Sequence, residues 1–319
     1  MCDPGRDSQA AAELPVIAET GTARLAGSVW LPATVPPCGV VLMHPGSGPS
    51  DRDNDELFPP IRAALLATGV AVCSYDKRGV GGSSGRWQDA GIDRQADDLV
   101  HGLRAARRIV PGGPVGLFGH SQGGWVVLEA SRRVGPSFVV TNSGPSLSPF
   151  LQEEYSTGNR LCEAGWSDAR VAAGMTLVHE LMDRALVGMS FPQAQRWMTE
   201  PERADAIRGL AHAGAFVPDS EALWSLAGSL FGHDPRPALE DMSVPLLALL
   251  GAVDSVVPVA ACVARLRRRV RPDLLEVAVV AGGDHRLQVG GPETFAPGYL
   301  PVLTAFVAAQ LRRFGRSAL

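Results

Sequence analysis

Residues 114–128 read Pro-Val-Gly-Leu-Phe-Gly-His-Ser-Gln-Gly-Gly-Trp-Val-Val-Leu: an apolar run of strand length, a serine set among glycines, and the start of a helical pattern. Within this stretch Gly119-His120-Ser121-Gln122-Gly123 fits G-x-S-x-G. In that pattern a sharp strand-to-helix turn holds a serine hydroxyl clear of a sheet, and glycines stand where side chains would collide. Short patterns recur by chance, so the flanks decide. Val115 to Phe118 supplies the strand and Trp125 to Arg133 the helix. The stretch therefore predicts a serine raised at the C-terminal end of a buried strand.

Working outward, the same strand-and-helix rhythm continues on both sides. Pro15 to Glu19 and Ala23 to Leu31 read as a hairpin turning at Gly21, preceded by a flexible N-terminus over residues 1–14. Gly39 to His44 and Val70 to Tyr75 are continuous apolar runs, as expected of strands covered on both faces of a parallel sheet. A helix over Pro59 to Thr68 joins them, Asp93 to Arg108 is a second helix, and Phe138 to Thr141 is the strand after Ser121. From Ser143 to about Asp241 helical patterns follow one another without a convincing strand, which predicts an inserted helical cap between two parts of one core, 15–142 and 242–319. The sheet resumes at Val244 to Gly251 and at Leu275 to Val280, with a helix over Val259 to Arg269 between them, and a helix over Tyr299 to Phe314 closes the chain.

Composition narrows the partners. At 319 residues and 45% hydrophobic the chain can bury a large core, and a net charge of −4 creates no field that would gather nucleic acid or an anionic membrane surface. Five cysteines, odd in number and never spaced C-x-x-C, indicate neither a disulfide framework nor a zinc knuckle. The first residues, including Cys2, lack the pattern of a signal peptide, and no window has the ~20 apolar residues of a membrane span. These features predict a cytoplasmic protein with a small-molecule partner. The glycine-rich turn Asp76-Lys77-Arg78-Gly79-Val80-Gly81-Gly82-Ser83-Ser84-Gly85 has the wrong spacing for a dinucleotide site and no helix directly after it, so it reads as a tight turn. His179-Glu180-Leu181-Met182-Asp183 lacks the second histidine of a zinc-protease helix. No metal or organic cofactor is expected.

A serine hydroxyl needs a general base within hydrogen-bond reach and a third group to orient that base. Asp254 and His285 each fall just beyond a predicted parallel strand, at the edge where sites gather in open α/β sheets, and the order Ser121, Asp254, His285 is the one expected with a genuine elbow. Asp284 and Asn142 are alternative positions for the acid. His44 and His120 flank the same loops and each is an alternative position for the base, although His120, adjacent to Ser121 with its side chain directed off the elbow, reads as a packing or substrate-lining residue. Arg52, Asp53, Asp76 and Arg78 read as charges that pin two turns.

From the strand at Gly39 to the closing helix, the chain resembles the α/β-hydrolase family. Its elbow, the segment Leu250 to Pro258 and Gly283-Asp284-His285 are similar to that family's nucleophile, acid and base sites. The loop Gly46-Ser47-Gly48-Pro49-Ser50-Asp51-Arg52-Asp53 and the turn Asp76-Lys77-Arg78-Gly79 look like those of bacterial esterase- and peptidase-like members with helical caps. The resemblance implies an α/β-hydrolase fold with a mostly parallel sheet flanked by helices, and an oxyanion hole made by the N–H groups of Gln122 and Ser47. Gln122 opens a helix, where unpaired N–H groups face the nucleophile, whereas Gly48 competes with Ser47 for the second position. The expected activity is that of a serine hydrolase cleaving a small or medium-sized, largely apolar carboxylic ester through an acyl-enzyme. Aminopeptidase, thioesterase, lactonase or acyltransferase chemistry would use the same groups, and a receptor or cyclase could share the fold.

Overall fold

The computed structural model describes residues 12–317, and the expectations for Cys2 and for residues 1–11 fall outside them. Among the described residues the chain forms one eight-stranded sheet in the order β1-β2-β4-β3-β5-β6-β7-β8. The strands are β1 (Ala12–Glu19), β2 (Arg24–Leu31), β3 (Val40–His44), β4 (Ala71–Tyr75), β5 (Val115–His120), β6 (Phe138–Asn142), β7 (Leu246–Gly251) and β8 (Leu275–Val280). β1 and β2 pair antiparallel, β2 meets β4 antiparallel, and all pairings from β4 to β8 are parallel.

The first strand corrects the expected boundary, because Ala12, Glu13 and Leu14 belong to the sheet and not to a loose terminus. Hairpin register is the reason: the turn at Gly21 pairs Glu19 with Arg24, and a β2 that runs to Leu31 carries the ladder back to Ala12.

Strands β3, β4, β6 and β7 are buried at every residue, which is why they read as unbroken apolar runs. Successive side chains still divide between two faces. Val40 and Leu42 join a cluster with α2 (Ile92–Ile109) and α3 (Gln122–Val134). Val41 and Met43 join the opposite cluster with α1 (Phe58–Leu66) and α11 (Tyr299–Ser317). Helix α10 (Val259–Arg269) links β7 to β8.

Between β6 and β7 lie α4 (Pro149–Glu163), α5 (Asp168–Leu186), α6 (Phe191–Thr199), α7 (Pro201–His212), α8 (Glu221–Phe231) and α9 (Arg236–Glu240). Most of these helices share an apolar cluster of their own, in which Met182, Trp197, Met198 and Trp224 are buried. No described helix is long and apolar enough to cross a membrane.

Because β3 pairs with β4 on one side and β5 on the other, the sheet has a switch point between β3 and β5. Loops leaving the two strands there must diverge and open a crevice. Those loops are the 45–57 segment and the turn at Ser121.

The charges assigned to the turns do hold them. Arg52 donates to both carboxylate oxygens of Asp76, at 2.9 and 2.7 Å, and the backbone N–H of Lys77 donates to the Ser50 carbonyl. Arg62 pairs with Asp53, and Arg78 grips Asp98 on α2 with two bonds. Burial pushes the Asp76 carboxyl up, but hydrogen bonds from Arg52 and the Gly82 N–H hold it below its ordinary value. A group with a depressed folded pKa adds stability above the unfolded pKa, and that contribution fades as pH falls through the folded pKa. Asp76→Ala is therefore expected to lower the unfolding free energy by about 2–4 kcal/mol near neutral pH, with the deficit shrinking in strong acid. Urea denaturation at pH 7 and pH 3 measures it, and equal deficits at both would contradict the ion-pair account.

Candidate active site

The serine turn is tight enough to exclude side chains on either side of it. A Cβ on Gly119 would lie 2.0 Å from the Gly123 carbonyl oxygen, and one on Gly123 would lie 2.5 Å from that of His44. Ser121 has φ 52° and ψ −122°, a conformation costing a non-glycine residue about 1–3 kcal/mol. Its N–H donates to the Asn142 carbonyl and its carbonyl accepts from the Gly124 N–H, so neighbouring structure holds the strained residue.

Two loops bring their side chains to it. Beyond β7, one carboxylate oxygen of Asp254 accepts the N–H groups of Val256 and Val257 at 2.8 Å each, fixing the turn into α10. The other oxygen lies 2.9 Å from His285 Nδ1. Beyond β8, Asp284 accepts the N–H groups of Arg286 and Gln288, which closes the loop that presents His285. His285 Nε2 is 2.9 Å from Ser121 Oγ. Asp284 binds its own loop through Oδ1 and makes no hydrogen bond to His285, and Asn142 bonds to His120. The Asp254 side chain is fully buried and that of His285 is 20% exposed. An imidazole between a hydroxyl and a buried carboxylate can accept the hydroxyl proton and be stabilised as imidazolium.

The N–H groups of Ser47, Gly48 and Gln122 have no hydrogen-bond acceptor among the described residues. All three residues border, with Ser121, a cleft of about 440 Å³ between the sheet edge and the helical insertion. Trp87, Trp125, Phe216, Leu226 and Phe231 form much of its wall, with Gln152, Glu153 and Arg160 on one side.

With this geometry in view, the model of the family described as serine aminopeptidase, S33, is found to match residues 36–289. The chain belongs to that family. It is a serine hydrolase with the α/β-hydrolase fold. No curated protein sequence matches it. Among solved structures it is similar to Est1E from Butyrivibrio proteoclasticus bound to ferulic acid, at 17% identity over 93% of this chain and 98% of that one, with a TM-score of 0.58. An esterase of Pyrococcus furiosus is 15% identical over 96% and 92% of the two chains, with a TM-score of 0.60. A proline iminopeptidase of Mycobacterium smegmatis is 20% identical over 96% and 100%, with a TM-score of 0.59. At such identities the likeness establishes the fold alone.

In this hydrolase the other two histidines near the site are kept neutral. Burial drives His120 well below its ordinary pKa, its Nδ1 lies 3.1 Å from the Asn142 carbonyl, and its ring packs 5.2 Å from that of His285. Burial, with the nearby Lys77 charge, lowers His44 to about 3, and its Nε2 donates to Gln95 Oε1 at 3.0 Å. The glycine-rich turn after β4 carries no nucleotide-type helix; Gly79, Gly81 and Gly85 all have positive φ.

Sequence reasoning passed over Lys77, Gln95, Glu153 and Arg160 in the hydrolase. Lys77 had a signal, since it stands just past the C-terminal end of a buried parallel strand, the criterion that selected Asp254 and His285. The cleft residues of α4 had none, because their common face is set by how the insertion packs over the sheet.

Proposed function

We propose that this serine hydrolase cleaves carboxylic esters with a small or medium-sized apolar group, through an acyl-enzyme on Ser121. The observation that carries the reading is the Asp254–His285–Ser121 relay opening onto a cleft walled largely by aromatic and aliphatic side chains. Ser121 Oγ attacks the ester carbon as its proton passes to His285 Nε2, and the carbonyl π pair moves to oxygen. The N–H groups of Gln122 and Ser47 stabilise that oxyanion. Collapse breaks the bond to the alcohol oxygen, which takes the proton from His285. Water then repeats the sequence, with His285 as base, and releases the carboxylic acid and free Ser121. Helices α4–α9 act as the cap that defines the group accepted.

An aminoacyl substrate is the second reading, favoured by the Glu153 and Asp219 carboxylates at the cleft. Against it, Glu153 already accepts bonds from Thr157 and Arg160, so its charge is compensated before any ammonium arrives.

A series of p-nitrophenyl esters of graded acyl length tests the choice. Each added methylene is expected to raise kcat/KM by a factor corresponding to up to ~0.8 kcal/mol, until the cleft is filled and the rate falls. A tenfold or greater preference, by the standard of a single lost charge contact, for aminoacyl p-nitroanilides over every ester would replace this reading with the aminopeptidase one.

A further inference from the structure

Lys77 is 8% exposed and has no carboxylate partner among the described residues. Its Nζ donates to the Gly46 carbonyl and, at 3.1 Å, to Gln122 Oε1. Gln95 Nε2 donates to the same Gln122 oxygen at 3.2 Å, and Gln95 Oε1 accepts from His44. Uncompensated charge is costly to bury, so its placement calls for an explanation other than packing.

The two acceptors identify one. Gly46 C=O and Ser47 N–H are opposite ends of a single planar peptide group, and Gln122 carries the second proposed donor. We infer that Lys77 is a positioning residue of the oxyanion hole, whose ammonium polarises the Gly46–Ser47 peptide and anchors Gln122, so that both donor N–H groups are fixed and strengthened together. The inference rests on the oxyanion-hole reading above. A cation on the carbonyl oxygen draws density through the O–C–N system and enlarges the N–H dipole on the far side, a polarisation that grows in a water-poor site.

The ammonium is also poised to respond to pH. Burial lowers the Lys77 pKa to about 7. The ionisable groups around it are committed elsewhere: Asp76 to Arg52, Asp98 to Arg78, Tyr75 to the Gly102 carbonyl, and His44 is neutral. As pH rises, loss of the Lys77 proton weakens the hole, whereas formation of an oxyanion favours retaining that proton.

The test compares the parent with Lys77→Gln and Lys77→Met on the best p-nitrophenyl ester, between about pH 6 and 9.5, the range bracketing the titration. It also compares affinity for an aryl trifluoromethyl ketone, which Ser121 converts to an anionic tetrahedral adduct. The expected result is a kcat lower by about 10- to 100-fold with KM within about threefold, and ketone affinity weakened by a similar factor. The fall in the parent's kcat as pH rises should be absent from the variants. Variants with the parent's kcat, with a loss confined to KM, or with unchanged ketone affinity would overturn the inference. Should neither variant fold, proton uptake by the parent on binding the ketone above about pH 7 supports it, and no uptake overturns it. A parent that neither turns over esters nor reacts with a fluorophosphonate fails the site reading itself; an active parent matched by its variants fails only the role of Lys77.

Discussion

Ser121→Ala is expected to fold like the parent, to lose all labelling by a fluorophosphonate probe, and to keep less than about a thousandth of the parent's ester turnover. Removing Oγ deletes the group that forms the acyl bond but leaves the strained turn intact, because its backbone is held by Asn142 and Gly124 and not by the hydroxyl. The cleft and the unpaired N–H groups also survive, so substrate should still bind and KM or an inhibition constant should change little. Turnover of a single ester, with circular dichroism as the folding control, is sufficient. Activity within tenfold of the parent, far above what a lost nucleophile allows, would remove Ser121 from the mechanism.

The second large effect separates two neighbouring acids. Asp254→Asn keeps the shape of the side chain, and its remaining oxygen can still accept the Val256 and Val257 N–H groups. The amide then faces His285 Nδ1 with a donor, which forces that nitrogen to accept and leaves the proton on Nε2. An Nε2–H cannot take the serine proton. In serine proteases this exchange costs on the order of 10⁴ in turnover, and a loss of at least ~10²-fold is expected here. Asp284→Asn should lose less than about tenfold, since an amide oxygen can replace the carboxylate in accepting from Arg286 and Gln288. Measuring kcat for both variants on one activated ester decides. A crippled Asp284→Asn beside a nearly normal Asp254→Asn would move the acid assignment while leaving the serine in place.

The sequence by itself carried the sheet and the positions of the main site residues. Its central strands are covered on both faces, so burial is written as continuous apolar runs, and the Ser121 turn needs glycines that are visible as a local pattern. The tertiary structure decided what depends on non-local geometry. Asp254 and Asp284 both follow strands and each binds its own turn through one oxygen; only the placement of the two loops side by side sets the second oxygen of Asp254 against His285. The start of β1 was hidden because small and acidic residues gave no strand pattern, and register with β2 placed it. Nothing in the sequence marks Lys77 apart from its place after a strand; its contacts to Gly46 and Gln122 arise where three loops converge from β3, β4 and β5. A side chain's neighbours across such loops are set by backbone dihedrals and by packing between distant segments, and neither is encoded in the spacing of residues along the chain.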